Sequence, residues 1–211
     1  MKIIKLKEVD STHRYIKDYI TENGYTEPLC VLCDYQTQGI GSRGNSWLGK
    51  KGNLFFSFVM DKEFLPEDLP LQSSSIYFSY ILKDILKDLG SKVWLKWPND
   101  FYLDDKKIGG TITTVSKNLL YCGIGINLKN VSDDFGKLDI DIDVEDMLKS
   151  YFSNLEKKLL WKQIFSEFKI EFEHSKKFQT TIENEKISLR SAILNEDGSI
   201  QVNDKKVFSL R

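Results

Sequence analysis

The chain has 211 residues, 30 lysines and arginines against 31 aspartates and glutamates, and a formal charge of −1 at neutral pH. That length suits one domain, or one with a small appendage, and buries enough surface to need no disulfide staples. Balanced charge, with 41% hydrophobic and 29% charged residues, excludes a protein whose main work is coating nucleic acid or an anionic membrane.

Residues 2–7 alternate lysine with apolar side chains, as a half-buried strand does. Ser11 or Thr12 then caps a short helix reaching about Ile20. The apolar run 29–33 predicts a buried strand. Cys30 and Cys33 sit within it at a spacing that sends their side chains to opposite faces. With Cys122 they make three cysteines, too few for a disulfide framework, and they read as buried structural thiols. The N-terminus lacks an apolar signal core, and no window approaches 18 apolar residues. A cytoplasmic chain in a reducing compartment is expected.

A loop rich in Gly, Ser and Asn is expected over 36–52, followed by a strand of strong β propensity over 53–60. Residues 68–89 carry Ile76, Tyr80, Ile81 and Ile85 at helical spacing, with Gly90 as the stop. Strands are expected over 93–97, 108–115 and 119–126, the first two joined by a turn at Asp104-Asp105. An acidic stretch, 133–146, leads into a helical region over about 144–173, broken near Leu160. Residues 178–211 give three or four short strands with a turn at Asp197-Gly198. Strands and helices mix without strict alternation, which predicts an α+β fold with a boundary near Ser175.

Four segments carry candidate chemistry. The first, QTQGIGSRGNSW (36–47), has glycines that let backbone N–H groups approach an anion, Arg43 to fork onto phosphate or carboxylate, and Trp47 to pack on a ring. It is neither a Walker motif nor a dinucleotide fingerprint. The second, KWPND (96–100), breaks a strand at Pro98 and offers Asn99 and Asp100 just past its end. In the third, KKIGG (106–110), adjacent lysines point to opposite faces, so one of them can meet a ligand. The fourth, GIGIN (123–127), has alternate glycines that leave one face of a strand bare. Each segment alone also fits an ordinary turn or a close packing contact.

Together these segments, with Asp10-Ser11-Thr12, resemble the biotin protein ligase family over roughly residues 8–128, and the closing FSLR is similar to the family's last strand. The resemblance implies a mixed β-sheet flanked by helices, like the catalytic domains of class II aminoacyl-tRNA synthetases. It also implies a division into a catalytic domain, 1–175, and a short C-terminal β module, 176–211. The implied activity is ATP-dependent formation of biotinyl-5′-adenylate, with Mg²⁺ accompanying ATP and no dedicated metal cage. Biotin then passes to one lysine of a biotin carboxyl carrier protein such as that of acetyl-CoA carboxylase.

By match to the motifs, Lys107 contacts the biotin carboxylate and the α-phosphate. Ser11, Thr12 and Gln36 bind the ureido head, Gly39, Gly41 and Arg43 belong to the closing loop, and Gly110 shapes the tail channel. Trp47, Asn99 and Asn127 fall on the nucleotide side, and Asp100 orients the carrier lysine or takes its proton. The sequence departs from the family pattern where Ile40 and Ser42 replace basic residues, with Arg43 one position late and expected to substitute. His13 stands where Asn is common and reads as a helix-start residue. No DNA-binding head is expected, since the chain begins within ten residues of the D-S-T motif. Relatives dimerise by sheet extension or stay monomeric, so a homodimer is compatible with the resemblance. The competing readings are a lipoate or octanoyl transferase of the same fold, and a non-catalytic biotin- or nucleotide-binding module.

Overall fold

The computed structural model describes residues 1–42, 45–129, 131–132, 134–183 and 185–208. Strand β1 (Lys2–Leu6) leads through helix α1 (Thr12–Asn23) to β2 (Leu29–Cys33). Ser11 caps α1, its Oγ accepting from the Arg14 amide. A hairpin of β3 (Gln36–Ile40) and β4 (Ser46–Gly49) follows, then β5 (Leu54–Asp61) and α2 (Ser74–Asp88). β6 (Trp94–Lys96), β7 (Asp100–Leu103), β8 (Lys106–Ser116) and β9 (Leu119–Ile126) complete the main sheet. Helices α3 (Val144–Glu156) and α4 (Trp161–Ser175) precede five short strands, β10 (Gln179–Ile182), β11 (Glu185–Ser188), β12 (Ile193–Leu194), β13 (Ile200–Val202) and β14 (Lys205–Val207).

The main sheet has seven strands in the order β1-β2-β5-β9-β8-β7-β6. Only β1 and β2 pair in parallel, since α1 carries the chain back to the same end, and the remaining pairs are antiparallel. Strand β5 is apolar on both faces because helices cover both. On one face Val59 packs with Ile16 and Ile20 of α1 and with Val31 and Tyr121. On the other, Phe56 and Phe58 meet Phe78 of α2 and Tyr151 and Phe152 of α3, edge-on at 5.1–6.4 Å between ring centroids. Each such buried aromatic ring stabilises the fold by about 1.5–3 kcal/mol.

The structure differs from the sequence expectations in four places. Residues 36–52 are not one loop, because β3 and β4 pair as a hairpin with Gly39 opposite Trp47. The helix expected from residue 68 begins at Ser74. Asp68 instead caps α4, its carboxylate accepting from the Trp161 and Lys162 amides at 2.8 and 3.1 Å. A further strand, β7, lies between Pro98 and the Asp104-Asp105 turn, so that turn joins β7 to β8. The C-terminal region holds five strands; β13 and β14 are joined by Asn203 and Asp204, both at positive φ, as a two-residue hairpin turn requires. Residues 209–211 of the expected final strand lie outside the described residues.

The C-terminal strands share the main core through Ile182, Leu189, Ile200 and Val202. Trp97 ties them to the KWPND segment. Its indole Nε1 donates to Gly198 O and its amide to Ser175 Oγ, both at 2.9 Å.

Candidate active site

The site lies on the face of the sheet that α1 covers. Ladder register sets one row, Asp100–Gly110–Gly125–Phe55, and beside it a second, Ile112–Gly123–Ser57. Gly110, Gly123 and Gly125 therefore leave a hollow in the middle of the face. Trp47 of β4 roofs it: a Cβ on Gly125 would stand 2.9 Å from the indole Nε1, an atom that is buried and makes no hydrogen bond. Gly39 permits that placement, since a Cβ there would come within 2.5 Å of the Trp47 carbonyl oxygen.

At one end of the hollow the groups are polar and neutral. The Thr12 amide donates to Gln36 Oε1 at 2.7 Å, and Thr12 Oγ1 lies 3.0 Å from the same oxygen and 2.8 Å from Ser57 Oγ. His13, the second residue of α1, is buried beside them, with Nε2 3.2 Å from Thr114 Oγ1. Burial, helped by the Lys17 charge, lowers its pKa from 6.5 to about 3, so the ring is neutral.

At the other end the groups are charged. Lys107 Nζ lies 2.5 Å from Asp100 Oδ1, and the buried Lys96 approaches Oδ2 at 3.8 Å. Pro98 ends β6, and β7 begins at Asp100, directly opposite Lys96. Of the adjacent lysines, Lys107 lines the cleft and Lys106 is exposed.

The cleft thus brings together Ser11, Thr12, Gln36, Gly41, Trp47, Asp100, Lys107 and Gly110 of the residues singled out from sequence. Asn127 lies beyond Trp47 in a second cleft with Lys50, Ser132 and Phe135, the last meeting Trp47 edge-on at 6.3 Å. Asn99 lines a third hollow with Pro98, Thr113 and Thr114, apart from Trp47 and Asn127, and its side chain donates to the Thr111 carbonyl. Gly39 supports the roof, and Arg43 lies outside the described residues.

Sequence reasoning passed over Ser57, His13 and Lys96 as site groups. Ser57 carries a readable signal, being the one hydroxyl in the apolar strand Leu54–Asp61. Among the described residues no cluster of three His, Cys, Asp or Glu side chains could hold a metal ion, and no helix is long and apolar enough to cross a membrane. The three cysteines are buried and unpaired; burial pushes the Cys30 and Cys122 thiols up, so they stay protonated.

The sequence profile of the biotin/lipoate A/B protein ligase family matches residues 6–129. The biotin acetyl coenzyme A carboxylase synthetase of Helicobacter pylori, solved with bound biotinylated ATP, superposes with a TM-score of 0.93 at 36% identity, over 98% of this chain and 99% of that one. The biotin protein ligase of Aquifex aeolicus, in complex with biotin and ATP, superposes with a TM-score of 0.75 at 26% identity, over 100% and 96%. The bifunctional ligase/repressor BirA of Escherichia coli is 32% identical over 130 residues, 58% of this chain; the match spans only 39% of that relative's length.

Proposed function

Because the chain belongs to the biotin/lipoate A/B protein ligase family, we propose that it is a biotin–protein ligase. It activates biotin with ATP and passes it to a lysine of a biotin carboxyl carrier protein such as that of acetyl-CoA carboxylase. The observation that carries this reading is the chemistry at the two ends of the glycine-floored cleft. Neutral hydrogen-bonding groups (Ser11, Thr12, Gln36, Ser57) stand at one end and the Lys107–Asp100 pair at the other. A cyclic urea on an acid tail satisfies both ends. A dithiolane or alkyl head would bond to none of the polar groups at that end and would leave the buried His13 Nδ1 without a partner, at about 1–3 kcal/mol, which argues against lipoate or octanoate.

In the first step the biotin carboxylate attacks the α-phosphorus of ATP and pyrophosphate leaves. Two anions must approach, so the Lys107 ammonium turns from Asp100 to the carboxylate and α-phosphate. Mg²⁺ would accompany ATP and neutralise part of its phosphate charge; among the described residues no cluster of three His, Cys, Asp or Glu side chains would hold it separately. The nucleotide lies on the Trp47–Asn127 side, and Arg43 takes over the anchoring that Ile40 and Ser42 lack. Asn99 acts at the nucleotide side through the segment it anchors. In the second step the carrier lysine attacks the acyl carbon, the C–N bond forms, the acyl–phosphate C–O bond breaks and AMP leaves. Asp100 orients that amine and takes its proton. Residues 1–175 carry this chemistry and 176–211 form the appended β unit.

The test is incubation with labelled biotin, MgATP and a biotin carboxyl carrier domain. Labelled carrier is expected. Tight biotin binding without transfer would instead favour a non-catalytic binding module. Lys107→Ala should abolish adenylate formation in a folded protein; normal adenylation by that variant overturns the role given to Lys107.

A further inference from the structure

His13 holds an atom that the folded chain leaves unused. The residue is only 5% exposed, yet Nδ1 has no hydrogen-bond partner. A buried polar atom without a partner costs about 1–3 kcal/mol, so it points to a ligand that supplies one. Nδ1 faces the hollow above Gly123, where a Cβ would stand 3.2 Å from it and 3.0 Å from Ser57 Oγ. Two polar atoms on separate elements, α1 and β5, thus converge on one bare spot in the cleft floor.

Proton accounting limits what each can do. Thr12 has one hydroxyl proton, and Gln36 Oε1, 3.0 Å away, takes it. The 2.8 Å contact between Thr12 and Ser57 must then use the Ser57 proton. Ser57 Oγ is left with lone pairs toward the hollow, as an acceptor. Gln36 Oε1 is occupied by Thr12, so the Gln36 amide nitrogen is the group that donates. Ser11 Oγ accepts from the Arg14 amide at 3.4 Å and keeps its own proton to give. The neutral His13 ring carries one N–H, and the Nε2–Thr114 Oγ1 contact admits it on either nitrogen; with the proton on Nε2, donating to Thr114, Nδ1 is a bare acceptor.

Resting on the proposed function, we infer that His13 is a specificity-determining ligand of biotin, its Nδ1, with the ring proton on Nε2, accepting one urea N–H. The urea carbonyl then meets the two donors, Gln36 Nε2 and Ser11 Oγ.

The test is a calorimetric titration of wild type, His13→Leu and His13→Asn with biotin and with biotin methylated on one or the other urea nitrogen. His13→Leu should bind biotin about tenfold more weakly, the loss of one hydrogen bond. Wild type should discriminate against one of the two methyl derivatives, and His13→Leu should lose that discrimination. His13→Asn, whose amide oxygen can accept, should retain most of the affinity, and KM for ATP should be unchanged throughout. Equal biotin affinity in wild type and His13→Leu overturns the inference, as does undiminished methyl discrimination in the variant. If His13→Leu fails to fold, His13→Ala, which also removes the acceptor, gives the same comparison with the methylated ligands. A wild type that binds no biotin overturns the proposed function itself, a result distinct from a biotin-binding wild type indifferent to His13.

Discussion

Lys107 Nζ and Asp100 Oδ1 stand 2.5 Å apart across the β7–β8 ladder, with both side chains partly open to the cleft. In the proposed chemistry the two groups serve different steps. Asp100→Asn keeps the shape and removes the charge. Adenylate formation, read as pyrophosphate release without carrier, should stay within severalfold of wild type. Transfer to the carrier should fall by about 10²–10⁴-fold, the usual contribution of a positioned proton acceptor. Equal losses in both steps would mean that Asp100 acts only by holding Lys107.

Two neighbouring glycines should separate function from folding. A Cβ on Gly125 meets the Trp47 ring, which sits on a hairpin and can shift. Gly125→Ala should therefore fold with a loss of about 1 kcal/mol or less, but lower kcat/KM for biotin and ATP by tenfold or more, because Trp47 borders both clefts. A Cβ on Gly109 comes within 2.6 Å of the Gly125 carbonyl oxygen in the central ladder. Gly109→Ala should lose several kcal/mol of stability or fail to accumulate, as read by denaturant unfolding.

His13 should make stability fall in acid. Its pKa lies near 3 in the folded chain against 6.5 ordinarily, so below about pH 6.5 the unfolded chain binds a proton that the folded chain refuses. The contribution is fully present above pH 6.5 and declines by roughly 1.4 kcal/mol per pH unit toward pH 3. Glu171, whose pKa burial raises, works in the opposite sense, favouring the folded chain as pH falls. The difference between wild type and His13→Asn isolates the histidine. Unfolding at pH 7.5 and pH 5 should show a gap between the two proteins that shifts against wild type in acid. An unchanged gap would mean that His13 is charged in the folded chain.

Trp97 should couple the C-terminal strands to the site. Trp97→Phe keeps an aromatic ring but removes the bond to Gly198 O, leaving that carbonyl without its indole donor. A loss of about 1–3 kcal/mol is expected. Limited proteolysis should cut first within residues 176–208. Uniform digestion along the chain would argue that other contacts, such as Trp161 Nε1 to Glu196 O at 2.8 Å, hold the strands alone.

Much of the architecture is legible in the sequence. The strand over 29–33 and the break between α3 and α4 follow from local patterns, and so does the bare face of GIGIN. The hairpin over the site is not legible. Its strands are short and glycine-interrupted, and they pair only because Gly39 and Gly49 admit a close partner. β7 hides between Pro98 and Asp104, both of which read as turn residues. Asp68 looks like the start of the next helix, but its carboxylate reaches amides 93 and 94 residues away. Of the candidate site, the glycines and Lys107 stand out by motif and Ser57 only as the one hydroxyl of an apolar strand, whereas His13 is a single residue with no local pattern.

By itself the sequence determines which backbone positions can be bare, which of several apolar segments are strands and which are helices, and which charges lie near a strand end. These follow from the side-chain period of two in a strand and 3.6 in a helix, and from the φ that a residue tolerates. Only the tertiary structure decides that Asp100, Gly110, Gly125 and Phe55 fall in one row, and that His13 meets Thr114 across 101 positions of chain. Ladder register and helix packing set those meetings. A slip of one residue in β8 or β9 would turn the glycines away from Trp47 and close the cleft.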